Sequence, residues 1–211
     1  MATLAGRAQA QGERLYVRPW CDLEPFVRAG TDTYPLSNEV AERRILEEAR
    51  VLFSAMVYGY TFDYVPADSA RRVAEVFHLT PVAQISWGAR SIEVIETTPQ
   101  EQRLYARLAF ALTPAEARRR SAWDSSDSAT SMGSGEASLF DGYTAKVTAL
   151  DNALKDAIRN YLNKRVLNKP REILGELILW DDPQTIEKAG TYITTAGVRL
   201  RISDIVPYRI F

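Results

Sequence analysis

Aromatic rings are the side chains with most to offer a ligand in this sequence: Tyr58, Tyr60 and Tyr64 fall within residues 57–65, and Trp87 follows. A β-strand turns every second side chain to one face, so these rings, with Phe62, can present a stacking platform to a small planar molecule. Aromatic residues at this period are also ordinary strand composition, and packing in a sheet or core is the commoner account. His78 is the single histidine and Cys21 the single cysteine. One imidazole cannot build a histidine-rich metal site, and one thiol cannot close an internal disulfide. The expected roles are structural: Cys21 as a packed small hydrophobe, and His78 at a helix C-terminus, where the dipole favours its cation.

Local motif tests fail for stated reasons. Asp124-Ser125-Ser126-Asp127-Ser128 spells a divalent-cation pattern, D-x-S-x-S, but it follows arginines inside a polar stretch instead of an apolar strand. Gly133-Ser134-Gly135 lacks the spacing of a nucleophile elbow and the lysine of a phosphate-binding loop, and reads as flexible linker. Glu93, Glu96, Asp181 and Asp182 show no spacing that marks an acid–base pair, so hydrolysis would need carboxylates assembled by the fold. The sequence thus assigns no catalytic residue, no metal ligand and no cofactor.

The elements that must position these residues follow from periodicity. Glu13 to Arg18 predicts an edge strand stopped by Pro19, with loop to about Leu36. A helix is expected from Ser37 or Asn38, because Val40, Ile45, Leu46, Ala49, Leu52, Phe53 and Met56 recur at spacings of three and four. The strand Val57 to Val65 follows, then a short helix capped by Asp68 and running from Ser69 to about His78. Ile92 to Ile95 and Leu104 to Leu112 predict a strand pair, and Thr113-Pro114-Ala115-Glu116 a capping box that opens a brief helix. Residues 121–138, dense in Ser, Gly, Asp and Thr, read as mobile. A long helix is expected over Tyr143 to Asn168, ended by Pro170, with strands at Glu172 to Trp180, Thr191 to Thr195 and Val198 to Val206.

The architecture this implies is α+β. Two units, each a helix followed by antiparallel strands, span 13–120 and 139–211, with helices on one face of a sheet and the polar segment 121–138 as linker or loop between them. The two units can equally form one domain, and internal duplication is an option. The chain of 211 residues is long enough to bury a core without disulfides or metals, and no stretch approaches the length of a membrane-spanning helix. Its 26 Lys and Arg nearly cancel 27 Asp and Glu, which argues against nucleic acid as a partner. The runs Arg43-Arg44, Arg71-Arg72 and Arg118-Arg119-Arg120 have acids within a turn and read as solvated, ion-paired faces.

Residues 1–12 contain Ala8-Gln9-Ala10, which fits the small-x-small rule of a signal-peptide cleavage site without the apolar run expected before it. They read as the tail of an export signal or as a short disordered arm. The helix Thr148 to Leu162 with the strands after it resembles the helix-strand-strand module of some bacterial envelope lipoproteins and flagellar-assembly proteins, and the charge-balanced, arginine-rich style resembles spirochaete envelope proteins. That resemblance implies an exported accessory protein without enzymatic activity. Three functions are therefore carried forward: a periplasmic interaction or assembly protein with protein partners, a small-ligand-binding domain using Tyr58, Tyr60, Tyr64 and Trp87, and a hydrolase with spatially assembled carboxylates. A cytoplasmic location is the alternative to export.

Overall fold

A computed structural model describes residues 13–28, 32–163, 165 and 170–208. The fold is mixed α+β with antiparallel pairing throughout. The N-terminal segment read as an export-signal tail lies outside the described residues. No described helix is long and apolar enough to cross a membrane.

The first sheet gathers β1 (Arg14–Val17), β2 (Trp20–Asp22), β5 (Ile92–Gln100) and β6 (Arg103–Ala111). β6 is its spine: β1 and β2 pair with it, and β5 lies against it as a hairpin. The expected strand pair is present but longer, because Glu101 adopts a positive φ of 55° and closes the hairpin tightly, while a bulge at Val94 to Glu96 absorbs the extra residue. β2 falls in what was expected to be loop.

Helix α1 (Asn38–Val57) starts where its sequence says, with the Ser37 hydroxyl accepting from the Val40 amide at 3.4 Å. Its apolar stripe, Ala41, Ile45, Ala49, Leu52, Phe53 and Met56, is buried. The helix consumes Val57, and Tyr58 caps it, so the following strand begins later than expected, at β3 (Tyr60–Val65). Gly59 makes the corner at φ +71°; a Cβ there would lie 2.1 Å from the Leu177 carbonyl oxygen. The expected helix after Asp68 does not form. Asp68 Oδ1 accepts from the Ala70 and Arg71 amides at 3.0 and 3.2 Å, but Arg72 turns to φ 57° and Asp68 bridges back to Val73. The β-branched and aromatic run beyond becomes β4 (Val76–Pro81), and His78 sits in mid-strand opposite Asp63 instead of at a helix end.

The second sheet runs β4–β3–β8 (Glu172–Leu179)–β10 (Thr191–Val206)–β7 (Ala129–Ser138). β10 is one continuous strand where two were expected, and β9 (Gln184–Lys188) pairs with its first residues. This sheet crosses the boundary drawn between the two units, because β3 from the first half pairs with β8 from the second.

The polar segment 121–138 is a correction in kind. Helix α2 (Pro114–Ser121), opened by the capping box on Thr113 and Glu116, leads through a 3₁₀ turn at Ala122–Asp124 into β7. β7 lies between β10 and helix α3 (Ala145–Leu162). Its Gly133 and Gly135 allow a close approach: a Cβ on Gly135 would lie 2.1 Å from the Ala153 amide nitrogen and 2.4 Å from the Ala149 carbonyl oxygen. Asn152, Asp156 and Asn160, spaced by four along α3, bond the outward backbone groups of β7 at Glu136 O, Ser134 N and Met132 O, at 2.9, 2.9 and 3.1 Å. A helix stripe thus satisfies a sheet edge. α3 starts after Tyr143 because Gly142 holds φ 72°. The last residues of the expected helix, near Asn168, lie outside the described residues.

α1 packs against β1, β2 and β6 on one side and β8 on the other. One apolar cluster joins Phe53 of α1, Phe110 of β6, Leu154 and Ile158 of α3, and Leu177 of β8.

Candidate binding cavity

A concavity of about 510 Å³ opens between α1, β2, the turn before α3 and the β9–β10 hairpin. That volume lies in the range of small-molecule sites. Spacings of three and four place Arg44, Glu47, Glu48 and Val51 on one face of α1, beside its buried stripe, and that face forms one wall.

Trp20 anchors the base. Its register on β2, opposite Tyr105 of β6, leaves it buried, with the Tyr192 ring edge-on at 5.9 Å. Two cations stack on it: the Lys146 ammonium at 3.5 Å from the ring centroid and the Arg103 guanidinium at 4.2 Å. Lys146 is only 8% exposed, and its ammonium donates to the Trp20 carbonyl and to Glu48 Oε2 at 3.3 Å, so its three donors find a carbonyl, a carboxylate and a π-face. Burial pushes the Glu48 carboxyl above the usual range, against the pull of Lys146.

Arg103 also joins the two sheets. Its Nε donates to Asp22 Oδ1 at 2.6 Å, its register partner on β2, and its Nη2 donates to Glu187 Oε2 at 2.6 Å on β9. Tyr192, the register partner of Glu187, donates its hydroxyl to Asp22 Oδ2 at 3.3 Å. Asp22 and Glu187, two of the four lining carboxylates, thus share one guanidinium, which cancels one of their two charges. Arg44 pairs with Asp32 and stacks on Tyr143 at 4.6 Å. Burial raises the Cys21 thiol, which keeps it protonated and supports its expected role as a packed hydrophobe.

The mouth is aromatic and open. Phe26 is 94% exposed, Trp87 55% and Tyr143 52%, and Phe140, 75% exposed, stands next in the chain to the lining turn. Large apolar side chains exposed in one place mark a binding surface.

Of the four aromatics expected to form a site, the cavity takes Trp87 alone. Tyr60 and Tyr64 are buried in the core, where Tyr64 packs on Phe77 at 5.0 Å and donates to Glu75 at 3.0 Å. Tyr58, on the α1 cap, donates to Glu116 at 2.6 Å, and that bond raises its phenol to about 12. The four do not converge. The aromatics that do converge, Trp20, Phe26, Tyr34, Trp87, Tyr143 and Tyr192, come from separate segments with no shared period. The one available signal was their position in short strands, turns and loops, where a large ring has no local apolar stripe to join.

Arg120, expected on a solvated face, is structural, as are Arg199 and Arg201 of β10. Arg120 is buried and donates to the carbonyls of Met56, Leu179 and Trp180 at 2.8, 3.5 and 2.6 Å, tying α2 to the ends of α1 and β8. Trp180 lies between Arg120 and Arg199, at 4.3 and 3.6 Å. Arg199 also holds Asp124 at 2.6 Å, and Arg201 holds Ser125 and Ser128 at 3.0 and 2.9 Å, so the D-x-S-x-S residues serve as an arginine dock.

Comparison with known proteins places the chain among relatives without assigning it a chemistry. No solved structure matches it. A protein from the spirochaete Treponema pallidum (strain Nichols), described as an uncharacterized protein, is 24% identical over 195 residues, covering 91% of this chain and 81% of that protein. A protein-family model matches residues 3–208, and the chain belongs to that family, which is thereby linked to spirochaetes.

Proposed function

We propose that this chain is a small-ligand-binding domain whose site is the aromatic-mouthed cavity between α1, β2 and the start of α3. The observation that carries the reading is the cavity itself: about 510 Å³, with a rigid base of caged Trp20 and an exposed apolar rim. Its charged base groups are already paired, which leaves apolar surface as the main attraction for a guest. The neutral fluorophore phenylnaphthylamine tests this, because its emission rises on transfer to an apolar site. Saturable one-to-one binding is expected, weakened about tenfold or more in Trp87→Ala, which removes a half-exposed wall and leaves the core intact. Absence of saturable binding, or an unchanged affinity in Trp87→Ala, would refute the reading.

A second reading, an exported interaction or assembly protein of the envelope or flagellar kind, draws on the same rim: Phe26, Phe140 and Tyr143 offer a partner an apolar patch. Cell fractionation reads it, with the chain in the periplasmic fraction supporting export and a cytoplasmic chain refuting it. The hydrolase reading rests on Glu48 and Asp182, two carboxyls that burial raises. The chamber they share is only about 20 Å³, room for a single water, and on the larger cavity Glu48 stands without Asp182 and bound to Lys146, so binding is the better-supported function.

A further inference from the structure

The cavity keeps more negative charge than its cations offset. Asp22 and Glu187 share the single guanidinium of Arg103, Lys146 is bound to Glu48, and Arg44 to Asp32. Glu47, half-buried on the α1 wall, has no partner among the described residues. With Arg103 and Asp32 counted beside the lining groups, five carboxylates face four cations. The fourth cation, Arg50, is turned to other work: its Nε has no accessible surface, and its Nη1 donates to Gln84 Oε1 at 3.5 Å and to the Ile85 carbonyl at 3.4 Å, neither of which lines the cavity.

The rings repeat the pattern. The face of an aromatic ring is negative and attracts cations. Four of the six lining aromatics already carry one of the chain's own cations: Lys146 and Arg103 on Trp20, Lys146 on Tyr192 at 5.8 Å, Arg44 on Tyr143 at 4.6 Å and Arg28 on Tyr34 at 5.7 Å. Phe26 and Trp87, both exposed at the mouth, carry none among the described residues. The segment leading to Trp87 is tied to α1 by the Arg50 bond to Ile85 and by the Ile85 amide, which donates to Ser54 Oγ at 3.0 Å. Glu47 stands one turn before Arg50 on that helix, so the open indole and the unpaired carboxylate belong to one side of the cavity.

We infer that the guest of this cavity is an organic ammonium ion with a flat apolar body, its cationic head held between Glu47 and the Trp87 ring. The inference rests on the cavity being a ligand site and adds the sign of the ligand's charge. Glu47 supplies the Coulomb attraction, and the indole face gives a second favourable contact without adding another charge to be desolvated. A single positive charge matches the excess of one carboxylate, because a second ammonium would meet Arg44 and Arg50.

Three probes on one naphthalene body separate charge from shape: naphthylmethylammonium is cationic at neutral pH, naphthylmethanol is neutral and naphthylacetate is anionic. Titration calorimetry on the wild-type chain is expected to show the ammonium binding about tenfold more tightly than the alcohol, the acetate more weakly than the alcohol, and added salt narrowing the spread. Glu47→Gln should bring the ammonium to within about twofold of the alcohol while leaving the alcohol's own affinity within the same margin. Trp87→Leu, which keeps an apolar wall and removes the π-face, should weaken the ammonium more than the alcohol. Equal affinities for ammonium and alcohol in the wild type, a tighter acetate, an ammonium preference that survives Glu47→Gln, or an equal loss of both probes in Trp87→Leu overturns the inference while leaving the cavity reading standing. Failure of all three probes and of phenylnaphthylamine to bind overturns both.

Discussion

Glu48 shows how burial turns one side chain into a pH-dependent term in stability. An unfolded glutamate titrates near ~4.3. In the fold, burial first raises Glu48, and Lys146 at 3.3 Å offsets that only in part, so the folded chain keeps the proton to higher pH. Over that interval the native state binds more protons than the unfolded state, and stability must fall as pH rises through it. Asp182 and Asp151, both raised by burial, act with the same sign. Stability measured by denaturant unfolding is therefore expected to decline as pH climbs from the ordinary carboxylate range, and Glu48→Gln should make that decline shallower. A variant slope parallel to wild type would show that Glu48 carries no such term. Glu75 works in the opposite direction: the Arg159 fork, bonded at 2.8 and 2.6 Å, lowers its carboxyl, so its contribution is present above the usual carboxylate pKa and lost as pH falls. None of these environments was legible locally. Glu48 and Lys146 lie 98 residues apart, and Arg120, among acids in the sequence, finds backbone carbonyls instead.

Among the elements, those whose determinants are local were readable, and those built by a partner were not. Ser37 and the stripe from Ala41 to Met56 define α1 without reference to anything else, and the Thr113–Glu116 box does the same for α2. β7 is the contrary case. Its Ser and Gly residues look like a linker because small side chains carry no hydrophobic period, yet Gly133, Gly135 and Ala137 alternate toward the Ala149, Ala153 and Ala157 stripe of α3. The signal lies in two segments read together, a pattern that periodicity within either one cannot show. This contact predicts an asymmetry between glycines. In Gly135→Ala the new methyl meets helix backbone at 2.1 Å, so α3 must withdraw from β7 and break the Asn152, Asp156 and Asn160 bonds. A loss at or above the upper end of ~1–3 kcal/mol is expected. Gly190→Ala meets nothing within 4 Å and bears only the strain of φ +80°, about 1–2 kcal/mol. Comparable denaturation midpoints for the two variants would mean that β7 and α3 are not in tight register.

At the scale of the whole molecule, the two helix-and-strand units read from the sequence, which left open one domain or two, are joined by contacts across the polar segment. β3 pairs with β8 across the polar segment, Arg103 bonds Asp22 of one sheet and Glu187 of the other, and Glu75 beside β4 is clamped by Arg159 of α3. The apolar cluster runs without a break through α1, β6, α3 and β8. Neither half can unfold without exposing the other's core, so a single cooperative transition is expected, with tryptophan fluorescence and far-ultraviolet circular dichroism coinciding. The cavity sharpens the test, because its walls come from both sheets and both long helices. A guest that binds only the folded chain adds RT ln(1 + [L]/Kd), about 2.7 kcal/mol at a hundredfold excess over Kd. In a single unit, saturating phenylnaphthylamine moves the whole transition upward with both signals together. If the probe shifts one signal and not the other, or if the unliganded chain already melts in two steps, the halves are separate domains and the cavity lies on a hinge between them.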